Sequence, residues 1–151
     1  MLKSNCRIVL LSIALAVACA SSHQIVAFPS QDVAVTRAEL TRIYVVREEG
    51  GGLSNRAIRV IDGDTEIGQL TLGTYLCWER APGRTVGRVF YEAVDPSRGR
   101  LEGIADLNCG AGRAYYFNVT VDIQDGNPVV REIDPAEGRK LVADRKPASK
   151  G

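Results

Sequence analysis

The chain has 151 residues, 45% hydrophobic and 25% charged, with a formal net charge of +1. Those are the proportions of an ordinary soluble globular protein, with room for one domain. A near-neutral chain without a basic stripe leaves no electrostatic footprint for nucleic acid, which excludes that class of partner.

Residues 1–7 carry Lys3 and Arg7 and no acid, and residues 8–17 are apolar except for Ser12. The apolar run falls short of the ~20 residues that a spanning helix needs. A charged start followed by an apolar stretch is the pattern of a secretory signal peptide, here over residues 1–18. Its removal leaves 17 basic against 18 acidic residues, a net −1. Leu15-Ala16-Val17-Ala18-Cys19 resembles the lipobox of bacterial lipoproteins, although Ala16 stands where Leu is more usual. The resemblance implies that Cys19 becomes the first mature residue and is acylated. With Ala20 rather than Asp after it, the implied place is the outer membrane, facing the periplasm. Several acyl chains together anchor stably, whereas one alone binds marginally. Two alternatives stand beside this: cleavage after Ala20, since Ala18-Cys19-Ala20 also fits the small-x-small pattern, and a cysteine placed in a signal peptide by chance.

Residues 19–37 include Pro29 and show no period, and are expected to form a flexible tether with an average reach of ~20–25 Å. His23, the single histidine, falls in it and is no basis for a metal ligand or a catalytic base. Leu40-Thr41-Arg42-Ile43-Tyr44-Val45-Val46 follows as the first strong strand. Glu48-Glu49-Gly50-Gly51-Gly52 breaks it. A phosphate-cradling loop needs a helix start and usually Lys-Ser/Thr, and neither follows. Runs at 57–61 and 66–72 flank Asp62-Gly63-Asp64-Thr65, a hairpin signal. A metal site on Asp62, Asp64 and Glu66 is the sharper alternative. It does not complete the calcium-loop pattern, because Glu66 and Ile67 occupy the last two positions.

Residues 73–85, GTYLCWERAPGRT, hold the only Trp and a dense bulky cluster. Pro82-Gly83 has tight-turn chemistry, so this run and the next are expected to pair as a hairpin. Cys6 leaves with the signal peptide, and Cys19 is acylated or lost, so Cys77 and Cys109 remain. In an exported protein such a pair reads as a disulfide, worth roughly 3–4 kcal/mol by chain entropy. The alternative is two buried free thiols acting as small hydrophobes. Neither cysteine lies in a CxxC motif.

A polar loop at 94–100 leads to a weaker strand at 101–107. The cleanest strand follows at 113–123, with Tyr115, Phe117, Val119 and Val121 on one face and Tyr116, Asn118 and Thr120 on the other. Asn118-Val119-Thr120 matches a glycosylation sequon but lies mid-strand behind a bacterial-type signal, and is set aside. A turn at 125–128 precedes a strand at 129–133. Asp134, Pro135 and Glu137 form a helix start, with Gly138 weakening a helix that would run through Val142. Residues 144–151 are expected to fray as a disordered tail. The pattern is all-β: an antiparallel β-sandwich of about seven to eight short strands over residues 38–143, with a short C-terminal helix.

Arg42-Ile43-Tyr44-Val45-Val46-Arg47, Val60-Ile61-Asp62-Gly63, Ile67-Gly68, Gly73-Thr74-Tyr75, Ala81-Pro82-Gly83 and Gly112 with Tyr115-Tyr116-Phe117 occur in that order. Taken together they resemble a bacterial lipoprotein family catalogued only as a domain of unknown function, over roughly residues 40–133. Arg84-Thr85 stands where that pattern has His, and the two cysteines are not part of it. The resemblance implies a β-sandwich on a lipid anchor and supplies no activity.

Without a histidine outside the tether, His-based triads and most zinc sites are ruled out. Glu79 and Glu92, expected on neighbouring strands, have the residue types of a glycosidase pair. Charges on a wet sheet face explain them equally well. We therefore expect no catalytic residue, metal or cofactor, but a membrane-anchored module that binds an envelope protein or glycan. Tyr44, Tyr75, Trp78, Arg80 and Arg84 are its candidate contacts, because aromatic and Arg residues dominate hot spots. Burial of Tyr75 and Trp78 in the core is the competing reading. The other functional alternatives are a periplasmic inhibitor of a host or rival hydrolase, using the 94–100 loop, and a weak glycosidase.

Overall fold

A computed structural model describes residues 25, 38–49, 56–93 and 95–149. The expected signal peptide, Cys19, most of the expected tether and residues 50–55 lie outside the described residues. Of the tether, Ile25 is described, and its N–H donates to the Ile67 carbonyl at 2.9 Å.

In chain order the elements are β1 (Thr41–Arg47), β2 (Ile58–Asp62), β3 (Thr65–Leu70), β4 (Thr74–Arg80), β5 (Gly83–Glu92), β6 (Arg100–Cys109), β7 (Ala114–Val121), β8 (Pro128–Ile133), α1 (Pro135–Ala143) and β9 (Lys146–Pro147). They make a β-sandwich of two sheets, one ordered β8-β7-β1-β4-β9 and the other β3-β2-β5-β6. The second sheet is antiparallel throughout. The first contains two parallel pairings, β1 with β7 and β4 with β9, which local sequence patterns do not signal.

In the five-stranded sheet α1 covers the outer face over β1, β4 and Tyr116 of β7, so β1 and β4 are buried on both faces, while Thr120 of β7 and Arg131 of β8 are exposed. Every residue of β1 is buried. Ile43 and Val45 face the inter-sheet core with Leu76, Trp78, Phe117 and Val119. Tyr44 and Val46 face the other way and pack with Tyr75, Cys77, Tyr116 and Val142 beneath α1. The four-stranded sheet has cover on its inner face from Ile58, Val60, Val89 and Leu107.

The Asp-Gly hairpin forms as the sequence indicates: Asp62 pairs with Thr65, and Gly63 takes φ 59° in the two-residue loop. The helix also starts where its capping residues place it. Asp134 accepts from the Ala136 N–H at 2.7 Å, and Pro135 opens the first turn.

Three expectations are corrected. First, Pro82-Gly83 does not close a hairpin. β4 pairs with β1 and β9, while β5 pairs with β2 and β6, so the turn carries the chain from one sheet to the other. Turn residues specify the change of direction, whereas the pattern of cover separates the strands: β4 is buried on both faces, and β5 alternates toward solvent.

Second, Cys77 and Cys109 form no disulfide and are both buried thiols. Cys77 belongs to the cluster under α1 and Cys109 to the inter-sheet core, so the five-stranded sheet stands between them. The alternative of two hydrophobic thiols holds.

Third, the tail is not frayed over its described part. Lys146 donates to the Gly73 carbonyl at 3.2 Å and Ala148 to the Tyr75 carbonyl at 2.8 Å, and Ala148 is buried in the main core.

Two glycines mark close approaches. A Cβ on Gly103 of β6 would lie 2.0 Å from the Pro128 carbonyl oxygen of β8, where the two sheets meet along one edge. A Cβ on Gly138 of α1 would lie 2.2 Å from Tyr116 Cγ.

Candidate functional site

The covered sheet takes up most of the residues that the sequence nominates as contacts. Tyr44, Tyr75 and Trp78 are only 4–5% exposed. Tyr44 stacks on Tyr116 with centroids 4.8 Å apart and planes 5° from parallel, and Tyr75 tilts against it at 6.4 Å. Burial pushes the Tyr44 phenol well above its ordinary range, and the Cys77 thiol opposite it is pushed up to about 12. These groups are neutral packing elements beneath α1, out of reach of a partner at the surface.

Trp78 joins the two sheets. Its Nε1 donates to Asp62 Oδ2 at 2.9 Å, and Arg80 Nε lies 3.5 Å from the same oxygen. Arg80 is therefore tied into the seam between β2 and β4, with its side chain 20% exposed.

The paired-carboxylate arrangement does not form. Glu79 is on β4, where Arg42 Nη2 holds it at 2.7 Å, and Glu92 ends β5 in the other sheet. The expectation of neighbouring hairpin strands falls with the crossover. The 94–100 loop is described from Asp95 onward. It contains a 3-10 turn, Pro96–Arg98, capped by Asp95, and Arg98 Nη2 donates to the Asp125 carbonyl in the β7–β8 turn.

Arg84 is the one nominated residue that is broadly accessible, and it lies on the outer face of the four-stranded sheet. Because Val89 and Tyr91 point into the core, strand alternation turns Arg84, Val86, Arg88 and Phe90 outward. The same rule turns Glu102, Ile104 and Asp106 outward on β6, opposite Phe90, Arg88 and Val86. Val86 is 47% and Ile104 67% exposed, two apolar side chains on an open face. Arg84 and Asp106 form a fork there, with Nε to Oδ1 at 2.9 Å and Nη2 to Oδ2 at 2.5 Å. Each group, by hydrogen bonding the other, raises the guanidinium pKa and lowers that of the carboxyl.

Two depressions mark this face. A groove of about 410 Å³ is lined by Arg84, Thr85, Val86, Ile104, Ala105 and Asp106. A cleft of about 340 Å³ is lined by Arg56, Ala57, Arg59, Gln69, Phe90, Tyr91 and Glu92. Phe90 is flanked from the two neighbouring strands by guanidinium groups, Arg59 at 5.1 Å and Arg100 at 4.5 Å from its ring centre. Arg59 is held in turn by Glu66, with Nε to Oε1 at 2.9 Å.

Sequence reasoning missed Val86, Arg59, Arg100 and Ile104; Phe90, on the same face, is 5% exposed beneath the two guanidinium groups. The signal available on β5 was the alternation in Arg84-Thr85-Val86-Gly87-Arg88-Val89-Phe90, which puts Arg and large apolar residues on one face. Among the described residues no group of three or more His, Cys, Asp and Glu side chains is arranged to hold a metal ion. No protein-family model matches the chain, and neither a curated protein nor a solved structure matches it.

Proposed function

We propose that the protein is a non-catalytic, lipid-anchored module of the bacterial cell envelope that binds a partner through the outer face of β3-β2-β5-β6. The observation that carries the binding surface is the unequal cover of the two sheets. Helix α1 covers the apolar side chains of β1, β4 and β7 on the outer face of one, while the other leaves Val86 and Ile104 exposed among paired charges. Exposed apolar side chains framed by Arg and Asp have the composition of an interface centre and its rim. The anchor rests on the lipobox-like residues 15–19, and the order of sequence blocks resembling the lipoprotein family supports the same reading.

The test is photo-crosslinking in intact cells. A photoreactive residue placed at Ile104 should give defined adducts in the membrane fraction, and one at the exposed Arg139 of α1 should give none. Equal labelling from both positions, or none from either, contradicts a contact surface on the open sheet.

A further inference from the structure

We infer that the partner at the β5–β6 end of the open face is a second copy of this chain, forming a two-fold dimer. The inference rests on the proposed binding role of that face and names its occupant. Charge complementarity selects this occupant. The groove carries one base and one acid, Arg84 and Asp106, beside the exposed Val86 and Ile104. Such a patch is electrically matched to its own rotated copy: a two-fold axis brings Arg84 of each protomer to Asp106 of the other. Both side chains are widely exposed, 75% and 55%, so each can turn from its own partner to the facing one while every charge stays paired. Val86 and Ile104 then lose water together, which supplies the association with its apolar contact. With residues 1–18 removed the net charge is −1, which gives little repulsion between copies. The second copy covers the β5–β6 end of the open sheet.

The test uses the mature protein, purified as the cell processes it, in analytical ultracentrifugation over a roughly hundredfold range of micromolar concentration. The wild type should pass from monomer to dimer. Arg84→Asp and Asp106→Arg should each weaken the dimer at least about tenfold through like-charge contacts. An equimolar mixture of the two variants should restore association, because in the mixed dimer position 84 of each chain again meets an opposite charge at position 106 of the other. Ile104→Glu should abolish the dimer in wild type and mixture alike, with the thermal midpoint of each variant confirming that it is folded. Only contacts between chains produce rescue by mixing. A wild type that stays monomeric, single variants that dimerise as before, or a mixture that fails to recover each overturns the inference. Adducts from Ile104 to a different envelope protein, with a monomeric wild type, would retain the binding face and reject the second copy.

Discussion

Gly138 of α1 rests directly on the ring of Tyr116 in β7. A side chain at position 138 would begin 2.2 Å from Cγ and 2.4 Å from Cβ of that tyrosine. Glycine disfavours a helix by roughly 1 kcal/mol relative to alanine. Here that preference is overridden, because the missing Cβ lets the helix close over Tyr116, which stacks on Tyr44. Gly138→Ala is therefore expected to destabilise the fold by about 1–3 kcal/mol in urea denaturation, despite its better helix propensity. In a Tyr116→Ala background the same change should become neutral or stabilising, and the double-mutant cycle measures the coupling.

The buried groups under α1 give the protein an alkaline limit. Burial raises the Cys77 thiol from 9.0 to about 12 and moves the Tyr44 phenol upward from 10.0. Both are neutral in the folded state, whereas the unfolded chain ionises them at their ordinary values. Their share of stability is fully present below about pH 9 and is lost progressively as the pH rises toward the folded values. Cys77→Ala should flatten that decline, with a difference on the order of 2 kcal/mol by about pH 11 in urea titrations at stepped pH.

Two cysteines without a disulfide, on opposite sides of a sheet, predict indifference to reductant. The thermal midpoint should be unchanged by dithiothreitol, and alkylating reagents should label Cys77 only after unfolding. Rapid labelling of the native protein, or a midpoint that falls on reduction, contradicts this arrangement.

The Asp62–Trp78 bond joins the sheets at a site where the Asp62 side chain is 8% exposed. Asp62→Ala should cost about 1–3 kcal/mol by leaving the indole N–H without its acceptor. Trp78 is the only tryptophan, so its emission spectrum reports the change directly.

Truncation after Asp144 should be costly. It removes the backbone bonds of Lys146 to Gly73 and of Ala148 to Tyr75, and it uncovers the core beside Ala148. A loss of about 2 kcal/mol is expected from the bonds alone. A truncated chain as stable as the full one would show that the last strand contributes nothing.

Much of the fold was legible because it rests on local chemistry. The Asp62-Gly63 hairpin, the capped start of α1 and the two faces of β7 each follow from residues within a few positions of one another. What was hidden depends on distant partners. Pro82-Gly83 turns the chain whether the next strand pairs beside β4 or joins the opposite sheet, and the choice follows from which faces are covered. The two cysteines made a plausible pair by count, but the faces of β4 and β6 that carry them were fixed by tertiary packing. The polar tail looked unstructured because its strand is two residues long and relies on the β4 edge for its bonds. For the site, composition drew attention to the aromatic residues of 73–85, which proved to be core. The exposed surface came instead from plain alternation in β5 and β6, where no single residue is unusual.

The anchored-module account is tested most directly by cell fractionation with intact mass measurement under non-reducing conditions. The account predicts a membrane-bound species beginning at an acylated Cys19, with Cys77 and Cys109 both carrying thiol protons. A soluble species beginning at Ser21 would contradict the lipid anchor.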